Sequence, residues 1–170
     1  MKIEAFDPAG HNRSGFASGN PRLDEYLQRY LSQSVKKSIV QAYVAVGDGG
    51  KVLGYYTLSA AHIRHDELPE EAARKFPRYP IPAALLGRMA TDAAARGAKL
   101  HIGSKLLVHA MKQTLKATDT LGVACMVVDA KPEAVGFYQR FGFMPLKQED
   151  GLRLYLPVET IRKMQQLFTA

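Results

Sequence analysis

Apolar residues recur at helical spacing in several stretches of the chain. Between Asn20 and Lys37, Leu23, Leu27, Tyr30 and Leu31 fall on one face. Asn20 is placed to cap that run and Pro21 suits its first turn, so a helix is expected. After Gly103, Leu106, Leu107, Ala110, Met111 and Thr114 share one face and Lys105, His109, Lys112 and Lys116 another, the strongest helical signal in the chain. "KPEAVGFYQRF" reads as a short helix opened by Pro132, and "ETIRKMQQLFTA" as a last helix grouping Ile161, Met164, Leu167 and Phe168. Strand patterns lie between these. "QAYVAVGDGGKVLGYYTLSAA" predicts two strands joined by a glycine-rich turn. "AALLGRMAT" and the apolar "LGVACMVVD" are further strands, and "GFMPLKQEDGLRLYLPV" suggests a final pair. The charged, proline-rich "HIRHDELPEEAARKFPRYPIPA" reads as a long connection holding a short helix. An early hairpin followed by strand–helix–strand units gives a mixed α/β class.

Composition narrows the picture. A chain of 170 residues suits a single domain, residues 1–170, with one core. With 46% hydrophobic and 23% charged residues, disorder is not expected to dominate. A net charge of +7 raises local anion concentration, which makes nucleic acid, phosphorylated cofactors or acidic protein surfaces the partners to consider. The one cysteine, Cys125, excludes an internal disulfide and a cysteine-rich zinc site, and its apolar surroundings predict an inert buried thiol. His62 and His65 are three apart but have no third ligand nearby, so no metal is expected. No stretch reaches the roughly 20 apolar residues of a membrane span, and the N-terminus lacks the apolar core of a signal peptide. The expected location is the cytoplasm.

The clearest candidate for chemistry is "ARGAKLHIGSKLLVHAM", residues 95–111. A loop running into a helix N-terminus offers amide N–H donors and positive potential to a phosphate group. Gly97, Ile102, Gly103 and Ser104 would supply the amides and Arg96 the charge. The turn departs from a tight glycine turn, because Ala98, Lys99, Leu100 and His101 occupy its middle. His101 and His109 are expected to be solvated.

Three segments in order, "LLGRMATDAAARG", "HIGSKLL" and "VVDAKPEAVGFYQRFGF", resemble the GNAT acyltransferases, which use acetyl-CoA. With "FASGNPRLDEYLQRYLSQ", "AYVAV", "VLGYYTLSAA" and "RYPIPAALLGRMATD" added, the chain looks like the GNAT toxins of toxin–antitoxin pairs. That resemblance implies a mostly antiparallel, twisted central sheet flanked by helices. It implies acetylation of the free amine of aminoacyl-tRNA, which stops translation, restraint by a ribbon-helix-helix antitoxin, and a homodimer. It assigns Tyr138 as the general acid, with Phe137 and Arg140 flanking the cofactor. A phenol stays protonated at neutral pH and can return a proton to a departing thiolate. A structural alternative has Tyr138 packing against Phe141 and Phe143. The pantetheine arm, rich in amides, would pair with the strand backbone at Met89, Ala90 and Thr91.

Family members commonly carry Gln/Arg-x-x-Gly-x-Gly/Ala in the loop. Arg96-Gly97 fits from the left and Ile102-Gly103 from the right, with His101 in place of a glycine. Both fit only if the loop holds extra residues. Basic residues Arg22, Arg29 and Arg64, with Lys36, Lys37, Arg74, Lys75 and Arg78, suit RNA phosphates, the last five being the tRNA candidates. Phe76 and Tyr79 either stack on an unpaired base or pack in the core. Two rival readings stand beside the toxin. One is the same chemistry on a protein or small-molecule amine; the other is a non-catalytic module that binds CoA or nucleic acid through a degenerate loop.

Overall fold

The computed structural model describes residues 1–97 and 99–169, without the side chains of Phe168 and Thr169. Ala98 in the cofactor loop and the packing expected of Phe168 therefore lie outside the described residues. The strands are β1 (Lys2–Ala5), β2 (Gln41–Val46), β3 (Val52–Ile63), β4 (Ile81–Thr91), β5 (Cys125–Asp129), β6 (Met144–Pro145) and β7 (Arg153–Pro157). They form one sheet in the order β1-β2-β3-β4-β5-β7-β6. The β1–β2, β2–β3, β5–β7 and β6–β7 registers are antiparallel and β4–β5 is parallel. The helices are α1 (Pro21–Glu25), α2 (Leu31–Lys36), α3 (Glu70–Ala73), α4 (Ala93–Arg96), α5 (Ile102–Ala117), α6 (Val135–Arg140) and α7 (Val158–Thr169). The mixed α/β class expected from the pattern is the one observed. β1 carries no clear alternation and was not foreseen. Among the described residues no helix is long and apolar enough to cross a membrane.

The chain divides into two compact units, and each is described by itself. The first comprises Met1–Ser59 and Gly87–Ala110. Its helical run begins as expected, with the Asn20 side chain accepting from the Arg22 and Leu23 amides and Pro21 in the first turn. The run is not one uniform helix. Tyr26–Tyr30 form a π turn, in which the Leu31 amide reaches back five residues to the Tyr26 carbonyl. The wider turn moves Tyr30 off the apolar face, where the 3.6-residue period had put it, and leaves it 53% exposed. Leu27 and Leu31 stay buried against Val44, Val52, Tyr55 and Ala90, with Leu23 and Tyr26 packed at the edge. The β2–β3 turn places Gly49 and Gly50 at φ +69° and +78°. A Cβ on Gly50 would lie 2.8 Å from the Gly10 carbonyl oxygen, so only glycine fits there.

The second unit comprises Ala60–Leu86 and Met111–Ala170. Its parallel ladder runs from Ala83↔Cys125 to Leu86↔Val128, and β7 covers the other edge of β5. Ile63, Leu68, Ile81, Cys125, Val127 and Tyr155 form its core. Two boundaries differ from the sequence reading. The apolar run "LGVACMVVD" becomes strand only at Cys125, and Leu121 before it is 68% exposed. In α7, Ile161 is buried but Leu167 is 81% exposed, so the apolar face does not extend to the helix end. In α5 the face read from the sequence is intact: Leu106, Leu107, Ala110, Met111 and Thr114 are all buried.

Candidate active site

In the first unit, the expected cofactor segment is built where β4 turns into α4 and then α5. Met89, Ala90 and Thr91 end β4, and Ala90 is buried. The turn after them is tied down by backbone. The Asp92 amide donates to the Leu53 carbonyl (2.8 Å), and the buried Asp92 carboxylate accepts from the Ala17 amide (3.0 Å). The stretch read as loop contains one helical turn, α4. Arg96 ends it and is more than a solvated arginine. Its guanidinium donates to the carbonyls of Ser18 and Thr91 while remaining exposed. Gly97 sits at φ −71°, open to any residue, and a Cβ there would meet nothing within 4 Å, so the backbone leaves free space rather than demanding glycine.

Two non-glycine positions beyond it adopt glycine-like geometry. Lys99 and His101 hold φ +54° and +51°, in the left-handed region. The longer turn therefore closes with side-chain-bearing residues in the conformation a glycine would supply. The Lys105 amide bonds the His101 carbonyl (3.0 Å), which makes His101 the residue that starts α5. The amides of Ile102, Gly103 and Ser104 are then left without intrahelical acceptors. Gly54 of β3 sets how closely this helix end sits. A Cβ there would come within 2.9 Å of Ile102 Cγ2 and Leu106 Cδ1. Amide donors, a helix dipole and unfilled space suit the pyrophosphate of a CoA thioester.

In the second unit, Tyr138 lies on α6, 6% exposed, with its ring edge-on to Phe137 (5.2 Å between centroids) and Phe143 (5.6 Å). The contact to Phe143 is the packing alternative. Among the described residues, however, the hydroxyl makes no hydrogen bond. Burial pushes its pKa up to about 12, so it holds its proton at neutral pH. Phe137 is half-buried and Arg140 exposed.

The tRNA candidates fall in both units. Lys36 and Lys37 end the α2 run in the first; Arg74, Lys75 and Arg78 follow α3 in the second. All five are exposed, and among the described residues none is ion-paired. Arg64 is instead taken up by Asp66 (3.3 Å) and Glu67 (3.5 Å). Tyr79 is 63% exposed, whereas Phe76 packs against the second core. No group of three metal-ligating side chains occurs among the described residues, and His65 Nε2 meets the Ala73 carbonyl oxygen (2.8 Å). Cys125 is buried, with its thiol pushed up to about 12.

One expectation fails: His109 is not simply solvated. Its Nδ1 lies 2.7 Å from the Tyr56 hydroxyl and its ring sits 5.1 Å from that of Tyr43. Helical phase assigns a face but not a partner across the sheet. The sequence reading also passed over Arg88 and Tyr26, whose guanidinium and ring stack at 3.7 Å. The available signal was an arginine inside the apolar run "ALLGRMA".

Comparison with known proteins gives this geometry a family. The acetyltransferase (GNAT) domain matches residues 39–145. A tRNA-acetylating toxin of Mycobacterium tuberculosis is 32% identical over 152 residues, covering 89% of each chain. The solved structure of AtaT complexed with acetyl-methionyl-tRNAfMet is 30% identical, covers 96% of this chain and 98% of its own, and superposes with a TM-score of 0.87. A tyrosine-to-phenylalanine mutant of AtaT bound to the C-terminus of the antitoxin AtaR and acetyl-CoA is 27% identical, covering 96% and 97%, with a TM-score of 0.81. On the domain match and the likeness to the mycobacterial protein, this chain belongs to the GNAT acetyltransferase family.

Proposed function

We propose that this chain is the toxin of a toxin–antitoxin pair, an N-acetyltransferase that moves acetyl from acetyl-CoA to the free amine of aminoacyl-tRNA and so blocks translation. The observation that carries this reading is the likeness, over 96% of the chain, to a toxin solved with acetyl-methionyl-tRNAfMet. Ile102, Gly103 and Ser104 would hold the pyrophosphate through their amides, with Gly97 leaving room and Arg96 adding charge. Backbone groups of Met89, Ala90 and Thr91 would pair with the pantetheine arm, with Phe137 and Arg140 flanking the cofactor. When bound, acetyl-CoA supplies the acetyl group as a thioester.

An aminoacyl ester lowers the basicity of its amine, so neutral amine is available and no strong base is required of the protein. As the N–C bond formed and the C–S bond broke, Tyr138 would give its hydroxyl proton to the sulfur and regain one from solvent, to which the amine would lose its own proton. Desolvation keeps Tyr138 protonated at neutral pH, the state from which it can donate. Lys36, Lys37, Arg74, Lys75 and Arg78 serve as phosphate contacts. We read residues 1–170 as one acetyltransferase domain. A cytoplasmic homodimer restrained by a ribbon-helix-helix antitoxin completes the reading.

The test is transfer of labelled acetyl from acetyl-CoA to purified charged tRNA, uncharged tRNA, and protein. Label on charged tRNA alone is expected. Label on protein alone would return the function to a protein-amine acetyltransferase.

A further inference from the structure

Arg88 stands on β4 immediately before Met89, and its surroundings fix it unusually well. Its amide donates to Thr57 Oγ1 (3.1 Å), and Thr57 is 1% exposed. The neighbouring Gly87 keeps that approach open, since a Cβ there would lie 3.2 Å from the same oxygen. The guanidinium carbon sits 3.7 Å from the centroid of the Tyr26 ring. Stacking occupies a face of the guanidinium and leaves its N–H edges pointing outward. Arg88 is exposed, and among the described residues its guanidinium makes no ion pair or hydrogen bond. Asp24, on the same helical run as Tyr26, is engaged elsewhere: its carboxylate accepts from the amide and the hydroxyl of Ser18. Tyr26 itself opens the π turn, a feature that recurs at functional sites.

The side of the sheet is also defined. Successive residues of a strand point to opposite faces. Gly54 faces Ile102 and Leu106 of α5, so Tyr55 faces away, and its hydroxyl donates to the Leu23 carbonyl at 2.7 Å. Tyr26 belongs to that same helical run, which puts the Arg88 stack on the face opposite the α5 amides. The anion that Arg88 is set up to take is therefore not the cofactor pyrophosphate. A planar fork with free N–H edges matches the two oxygens of a phosphodiester.

We propose that Arg88, held flat on Tyr26, binds a backbone phosphodiester at the 3′ end of the nucleic-acid acceptor and so registers the amine against β4. This rests on the aminoacyl-tRNA reading above. Arg88 is then a substrate-binding residue and Tyr26 the residue that positions it. Both select an acceptor that carries phosphate over a free amine.

The experiment compares two stable acceptors, a 3′-aminoacylamino-adenosine and the same group on a CCA trinucleotide, with acetyl-CoA affinity measured by calorimetry for every variant. Arg88→Gln is expected to lower kcat/KM on the trinucleotide roughly tenfold more than on the nucleoside, chiefly through KM, with acetyl-CoA affinity preserved. Arg88→Lys should recover part of the loss, and Tyr26→Phe, which keeps the ring, should stay within about twofold. Equal loss on both acceptors, no loss on either, or a matching fall in acetyl-CoA affinity would each overturn the assignment. Should the wild type acetylate neither acceptor nor charged tRNA, the aminoacyl-tRNA reading fails on its own. Fluorescence anisotropy with an uncharged CCA-ended oligonucleotide then decides the Arg88 site. Weaker binding by Arg88→Gln with a salt slope smaller by about one supports it, and equal binding overturns it.

Discussion

Replacing His101 by glycine is expected to stabilise the protein while leaving acetyl-CoA affinity nearly unchanged. His101 holds φ +51° at the start of α5, is exposed, and makes no side-chain hydrogen bond among the described residues. The left-handed conformation costs a residue with a Cβ about 1–2 kcal/mol. Glycine would remove that strain but brings more freedom to the unfolded chain, worth about 0.5–1 kcal/mol the other way. The difference leaves a net gain of about 0.5–1 kcal/mol, a rise in Tm of about 1–4 °C for a chain of this size. His101→Val tests the same logic in the opposite direction, because a β-branched residue tolerates positive φ least. Thermal melts by circular dichroism give the two shifts, and calorimetry gives acetyl-CoA affinity. The proposed cradle would act through backbone amides, so His101→Gly should bind the cofactor within about threefold of wild type. A fall in Tm for His101→Gly together with no change for His101→Val would refute the left-handed turn and the account of how the lengthened loop closes.

Three further outcomes are expected. Gly54→Ala places a methyl 2.9 Å from Ile102 Cγ2 and Leu106 Cδ1 and 3.1 Å from the Ala90 carbonyl oxygen. Overpacking of this kind costs about 1–3 kcal/mol, so Tm and acetyl-CoA affinity should fall together; if both hold, the α5 end is not set by this contact. Tyr138→Phe should reduce kcat about a hundredfold with cofactor affinity retained. Burial raises Tyr138 from the ordinary phenol value to about 12, so the protonated acid persists as pH rises and is lost only through that value. The kcat profile should then show no alkaline limb from Tyr138 between about pH 7 and about pH 10. A limb near pH 9 that disappears in Tyr138→Phe would contradict this.

The parts of this protein legible in its sequence are those governed by neighbours along the chain. Asn20 and Pro21 start a helix by capping and by a preset φ, and both act within one turn. The buried stripe from Leu106 to Thr114 follows from a period of 3.6 residues, and the hairpin from its glycines. The "GFYQRF" segment likewise pointed to Tyr138 on a short helix.

Only the tertiary structure decided the rest. The π turn at Tyr26–Tyr30 leaves Tyr30 outside, although local spacing put it inside. Leu121 and Leu167 are exposed for a related reason: an apolar residue is buried only where another surface meets it. His109 meets Tyr56 from 53 residues away, and Arg88 meets Tyr26 from a distant segment, contacts that no local pattern encodes. The loop from Arg96 to His101 shows the boundary most clearly. Its residue types depart from a glycine turn, yet its backbone adopts left-handed φ at Lys99 and His101. Composition names the residues available for a turn; packing of the flanking strand and helix sets the dihedrals they must accept.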